Sequence, residues 1–93
     1  MQITKDMVFS FSEGVKAREE DFGLLVVSKS TPALSLNQDS KFVWNLIDGE
    51  KCVSDILSAL EKEYQEDGLE NLLFQTLESL YNLGLIKLIK NKD

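Results

Sequence analysis

The stretch FVWNLIDGEKCVSDILSALEKEY, residues 42–64, constrains the chain more than any other, because its pattern is that of helix, turn, helix. Phe42, Val43, Leu46 and Ile47 recur at the i, i+1, i+4, i+5 spacing that places them on one helical face. Asp48-Gly49 stops that helix, since glycine enters the left-handed conformation of a helix end without steric cost. A second helix restarts within a few residues. Its apolar stripe is Val53, Ile56, Leu57, Leu60 and Tyr64.

Strand patterns precede this pair. Residues 7–11 alternate, with Met7, Phe9 and Phe11 on one side. Ser12-Glu13-Gly14 signals a turn, and residues 15–19 alternate again. Leu24-Leu25-Val26-Val27 is the strongest strand pattern in the chain. A further turn across Lys29, Ser30, Thr31 and Pro32 leads into Ala33, Leu34, Ser35 and Leu36, where Leu34 and Leu36 face one way and Ala33 and Ser35 the other. An antiparallel meander of three strands, or four with this segment, is expected. Its last strand is short and follows proline, the mark of an edge strand.

Three helices are expected after it. Asn37 is placed to cap the first. Cys52 stands at the cap of the second, three before Asp55, where a thiol is a weak acceptor. Asp67, three before Glu70, matches a capping box for a third helix that stops at Gly84. Residues 85–90 form a short final strand or packing tail. Sheet first and then a helical trio implies an α+β fold of winged-helix type. Ninety-three residues make one domain, 1–93, whose folding hides roughly two thirds of the unfolded chain's surface.

Charge excludes several functions. Sixteen acids against ten bases and no His give a net charge of −6. Between Val53 and Ile86 the only base is Lys62. Nucleic acid and anionic lipid are held mainly by Lys and Arg, so this surface repels both. A winged helix that reads DNA would use the third helix, whose outward stripe offers Gln75 and Glu78 but no cation. Catalysis is poorly served by no His, one Cys and two Tyr. No Cys/His cluster or calcium-loop spacing suggests a metal, and no glycine-rich loop suggests a phosphate; no cofactor is expected. No apolar run is long enough to span a membrane. Residues 1–6 lack a signal-peptide core and the single Cys permits no internal disulfide, so the expected location is the cytoplasm.

The third helix has a wider apolar surface than one-sided packing demands. Leu69, Leu73, Leu77 and Leu80 form a stripe flanked by Leu72, Thr76 and Leu83. Phe74 and Tyr81 broaden the other flank. The plainer reading is a core that surrounds the helix. The alternative is a groove wall, with Phe74 or Tyr81 lining a cleft.

Taken together, the "LIDG" helix stop, the pattern VSDILSALEKEY, the N-terminal FSFSEGVKAREEDFGLLVV, the segment Ala33-Leu34-Ser35-Leu36-Asn37 and the ending Leu77, Leu80, Gly84, Leu85, Ile86 resemble the PqqD-like family. Those are small recognition domains for the leaders of ribosomally made, modified peptides. The stretch REEDFG, residues 18–23, is similar to the variant associated with mycofactocin-type radical SAM enzymes. The resemblance implies a leader peptide docked as an extra strand on Ala33, Leu34, Ser35 and Leu36, with Ser35 facing the groove or its rim. It implies a helix wall drawn from Phe74, Leu77, Glu78 and Tyr81, with Glu78 opposite a basic leader residue. It further implies a stand-alone, non-enzymatic peptide chaperone that hands its precursor to a radical SAM maturase. The rival is a winged-helix adaptor or regulator that holds a folded protein partner. An exposed sheet edge also invites a homodimer.

Overall fold

In the computed structural model, which describes residues 1–29 and 31–92, the chain runs β1 (Met7–Phe11), β2 (Lys16–Glu20), β3 (Gly23–Val27), β4 (Leu34–Leu36), α1 (Gln38–Leu46), α2 (Val53–Tyr64), α3 (Glu70–Asn82) and β5 (Ile86–Asn91). The α+β class and the three helices follow the patterns described above. The turn expected around Ser30 includes a residue outside those described.

The sheets differ from the expected meander. β2, β3 and β4 form the three-stranded antiparallel sheet, and β1 leaves it to pair with β5 at the other end of the chain. Phe9 sits opposite Leu88 and Phe11 opposite Ile86, with a register shift between Val8 and Phe9. That shift turns two successive side chains inward, and Val8 and Phe9 are 0% and 1% exposed. Backbone bonds from Ser12 to Leu85 and from Lys92 to Asp6 extend the pairing past both strand ends. The final apolar segment is thus a strand that closes the chain's two ends on one another. The Ser12-Glu13-Gly14 turn carries the chain from one sheet to the other instead of closing a hairpin.

The helix boundaries show which local signals the fold uses. Asn37 Oδ1 accepts from the Ser40 N–H at 2.9 Å, capping α1 as expected. Asp55 reaches back to the Cys52 N–H at 3.4 Å at the start of α2. α3 departs from expectation: Asp67 does not cap it. Gly68, at φ +82°, cannot belong to a helix, so the helix starts two residues beyond it. The Gly68 and Leu69 N–H groups instead donate to Glu61 Oε2 of α2, at 3.1 and 3.4 Å. At the far end Gly84 (φ +78°) closes α3 with the paired bonds Gly84 N–H to Tyr81 O and Leu85 N–H to Leu80 O.

The core lies between the two sheets and the helices. Leu73, Leu77 and Leu80 of α3 meet Ile56 and Leu60 of α2, Leu24 and Val26 of β3 and Trp44 of α1, all at most 6% exposed. Among the described residues no polar side chain is buried. Trp44 also stacks on Phe11, with ring centroids 4.4 Å apart. Lys41 of α1 forms an ion pair with Glu19 of β2, which holds the Glu19 carboxyl below its ordinary value. Gly23 starts β3 at φ +147°, where a Cβ would lie 2.1 Å from Leu36 O. Only glycine allows β3 and the end of β4 to approach this closely. Gly23→Ala is therefore expected to lose about 2–4 kcal/mol from strain and displaced backbone. Urea denaturation of the variant measures it.

The α1–α2 turn is organised by Asp48. Its carboxylate accepts from the Lys51 ammonium at 2.7 Å, the Lys51 N–H at 2.8 Å and the Glu50 N–H at 2.9 Å. These bonds, led by the Lys51 side chain, hold the Asp48 carboxyl well below the usual carboxylate range. A depressed folded-state value gives stability that is complete above the unfolded value of about 4 and is lost as pH falls through the folded value. Asp48→Asn is expected to lower Tm at neutral pH, with the gap to the parent closing progressively below about pH 4. Thermal melts followed by circular dichroism across that range provide the check.

Candidate functional site

β4 is one edge of the three-stranded sheet, β2 being the other, and it is the edge that lies beside a cleft. Among the described residues it pairs with β3 alone, Leu36 opposite Leu24, Ser35 opposite Leu25 and Leu34 opposite Val26. Period-2 alternation puts Leu34 and Leu36 on the face shared with Leu24 and Val26, and Ser35 on the opposite face. Alongside β4 runs a cleft of about 230 Å³, walled by Leu34 and Leu36 on the sheet side, Ser40 of α1, and Gln75, Thr76, Ser79, Leu80 and Leu83 on the helix side. No Lys or Arg lines it. Its floor is apolar and its helix rim is small and uncharged. The Thr76 hydroxyl donates to Leu72 O at 2.9 Å, which leaves the threonine methyl and the leucines to shape the wall.

The eight residues expected at this site separate into two groups. Leu34 and Leu36 line the cleft, and Ser35 contributes backbone to the same edge while its side chain lies on the other face. Ala33 is exposed just before the strand. The helix wall falls elsewhere than expected. Phe74, Glu78 and Tyr81 lie at i, i+4 and i+7, a stripe about half a turn around α3 from Thr76, Ser79 and Leu83. Between the stripes run Leu73, Leu77 and Leu80, and Leu77 is 0% exposed. Tyr81 packs edge-on against Phe9 of β1, with centroids 6.3 Å apart, and Phe74 packs on the same core. Glu78 is exposed but lines no cavity beside β4. The reason is β1: its pairing with β5 brings Phe9 against the aromatic flank of α3 and gives those rings an interior partner.

The residues that do form the wall carry a weaker sequence signal. Leu83 stays 38% exposed and Leu72 46% on the flank opposite the aromatics. Two exposed leucines separated by Thr76 and Ser79 mark that flank as apolar but thin. The large rings of Phe74 and Tyr81 draw attention away from it.

The profile of coenzyme PQQ synthesis protein D, PqqD, matches residues 24–86. The chain belongs to the PqqD family. Comparison with curated proteins and with solved structures gave no significant match. Proteins of the PqqD family are peptide-binding partners of radical SAM enzymes in the synthesis of ribosomally made, modified peptides, and act as recognition components and not as catalysts. The matched span contains β3 from its second residue, β4 and all three helices, and so includes every residue that lines the cleft. Among the described residues, no three His, Cys, Asp or Glu side chains are grouped to hold a metal ion. No helix among them is long and apolar enough to cross a membrane.

Placed against Phe9 and away from the cleft, Tyr81 should act on stability. Tyr81→Ala is expected to cost about 1–3 kcal/mol of unfolding free energy while leaving peptide affinity within about twofold. Denaturant melts and peptide titration on the same preparation separate the two effects.

Proposed function

We propose that this chain is a stand-alone recognition domain that binds the leader of a ribosomally made precursor peptide as an added strand on β4 and presents it to a radical SAM maturase. The observation that carries the reading is an open three-residue sheet edge lying directly beside an apolar cleft. In strand addition, backbone groups of the edge supply hydrogen bonds and pockets for alternate side chains supply selectivity. Here the edge is Leu34, Ser35 and Leu36, and the pocket lies between Leu34 and Leu36 on one side and Thr76, Ser79 and Leu83 on the other. The domain contributes no chemistry of its own in this reading. It raises the local concentration of the precursor at the maturase, which meets a different surface. A reducing cytoplasm suits the free thiol of Cys52. The stretch from Arg18 to Gly23 has structural duties of its own, an Arg18–Glu20 ion pair and the close approach at Gly23. The proposal is therefore made for the family and not for the mycofactocin-type subtype.

A second reading, an adaptor or regulator of winged-helix type that holds a folded partner, draws on Phe22. That ring is 48% exposed at the tip of the β2–β3 hairpin, where a wing would present it. A homodimer through β4 would occupy the same edge as the peptide and compete with it.

Calorimetric titration with the leader segment of any precursor peptide encoded beside this chain distinguishes the readings. Saturable one-to-one binding is expected, and Leu83→Lys should weaken it about tenfold or more by placing a charge at the cleft mouth. Leu83 is already part exposed, so the variant should melt close to the parent. Affinity unchanged in Leu83→Lys would place the peptide elsewhere. Absence of binding to the folded parent would favour the adaptor.

A further inference from the structure

A second cavity, of about 160 Å³, opens where the start of α1, the end of α2 and the first turn of α3 meet. Its lining is Asp39, Tyr64, Glu66, Leu69 and Leu72. Two features give it an amphipathic character. The walls are apolar, with the Tyr64 ring and Leu72 still 42% and 46% exposed. The rim is acidic, with Asp39 and Glu66 and no Lys or Arg among the lining residues. The pocket has a fixed wall. The Tyr64 hydroxyl donates to Asp39 Oδ1 at 2.6 Å, and its ring meets Phe42 edge-on with centroids 6.0 Å apart. The same bond, aided by burial, pushes the Tyr64 hydroxyl pKa up to about 12, so the phenol remains a donor at any physiological pH.

This cavity and the cleft beside β4 share one flank of α3. Leu72, Thr76, Ser79 and Leu83 fall at i, i+4, i+7 and i+11, a single stripe. On the α1 side, Asp39 lines one cavity and the next residue, Ser40, lines the other. The two therefore follow one another along the same flank of α3. From Ser79 to Leu72 the helix rises about 10 Å, the length of about three residues of extended chain.

We infer that this pocket is a second reading point for the leader, one that takes the side chain of a Lys or Arg about three residues beyond the docked strand, on its Leu36 side. This rests on the peptide-binding reading above. A long alkyl stem ending in a cation matches apolar walls under an acidic rim, and the face of Tyr64 adds cation–π attraction. A neutral apolar side chain would gain nothing from the two carboxylates, and an acidic one would be repelled. The leader class selected is then an alternating apolar strand flanked by a base. Glu78, the acid that the family resemblance implies for such a role, lies on the other side of α3.

The test uses the full chain, immobilised, to select from a displayed library of random 15-residue peptides, followed by calorimetry on the enriched sequences. The expected pool has alternating apolar residues with Lys or Arg enriched three or four positions to one side. Replacing that base by Gln should weaken binding about five- to tenfold on the parent. On the Asp39→Asn/Glu66→Gln variant, checked by melting, the same replacement should change binding less than about twofold. Glu66→Gln alone, remote from the α1 cap, is the second variant and should show an intermediate loss. A pool with alternating apolar residues and no basic preference would overturn the inference while leaving strand addition intact. A basic preference that persists unchanged in both variants would overturn it as well, by moving the cation to another site. Failure to enrich any peptide on the folded chain would overturn the peptide reading and this inference with it.

Discussion

The buried stripe Leu73, Leu77 and Leu80 decides what the rest of the molecule can do. With those three at most 2% exposed against α2, β3 and α1, the rotation of α3 about its own axis is fixed. One flank must then face β1 and the other β4. The flank toward β1 is filled by Tyr81 on Phe9, and the flank toward β4 is left as a cleft. A rotation of α3 by one residue's worth, about 100°, would carry either Ser79 or the charge of Glu78 into the core, a cost that the all-leucine stripe avoids. The site is a consequence of where the core stops.

The same logic explains why the chain's two ends are tied. β1 and β5 enclose the far side of α3, and their pairing gives Phe9 and Ile86 an interior position. Without that pair, the aromatic flank of α3 would be as open as the other, and the domain would have two clefts of similar character. Closure of one side by strands distant in sequence leaves the cleft on the other side of α3, beside β4.

Local signals in the sequence reached most of the elements: the cap at Asn37, the stop at Gly84, the apolar stripes of all three helices and the short edge after Pro32. What escaped was non-local. An alternating segment such as residues 7–11 declares itself a strand but does not name its partner, and β5 lies seventy-odd positions away. The helix wall failed for the same reason, since whether Tyr81 faces a cleft or a core depends on where β1 goes. Leu34 and Leu36 could be placed because their partners on β3 are close in the chain and the period of two leaves no choice of face. The Asp67 cap was misread because spacing alone cannot show that Gly68, at positive φ, lies between the acid and the helix, or that Glu61 from a neighbouring helix takes its place.

On the strand-addition proposal, the shortness of β4 sets how a peptide would be held. Three residues of edge offer about three backbone hydrogen bonds, each with a net value of about 1 kcal/mol. Micromolar affinity needs about 8 kcal/mol beyond the cost of immobilising the partner. Most of the binding free energy must therefore come from side chains, at about 25 cal/mol for each Å² of apolar surface covered. Several hundred Å² are required, about two or three leucine-sized side chains, which is close to the capacity of a cavity of about 230 Å³. A short edge also protects the domain, because three residues give a poor template for sheet growth by other copies. A ligand added to so short an edge would gain by extending along α3, where Leu72, Thr76, Ser79 and Leu83 form one stripe.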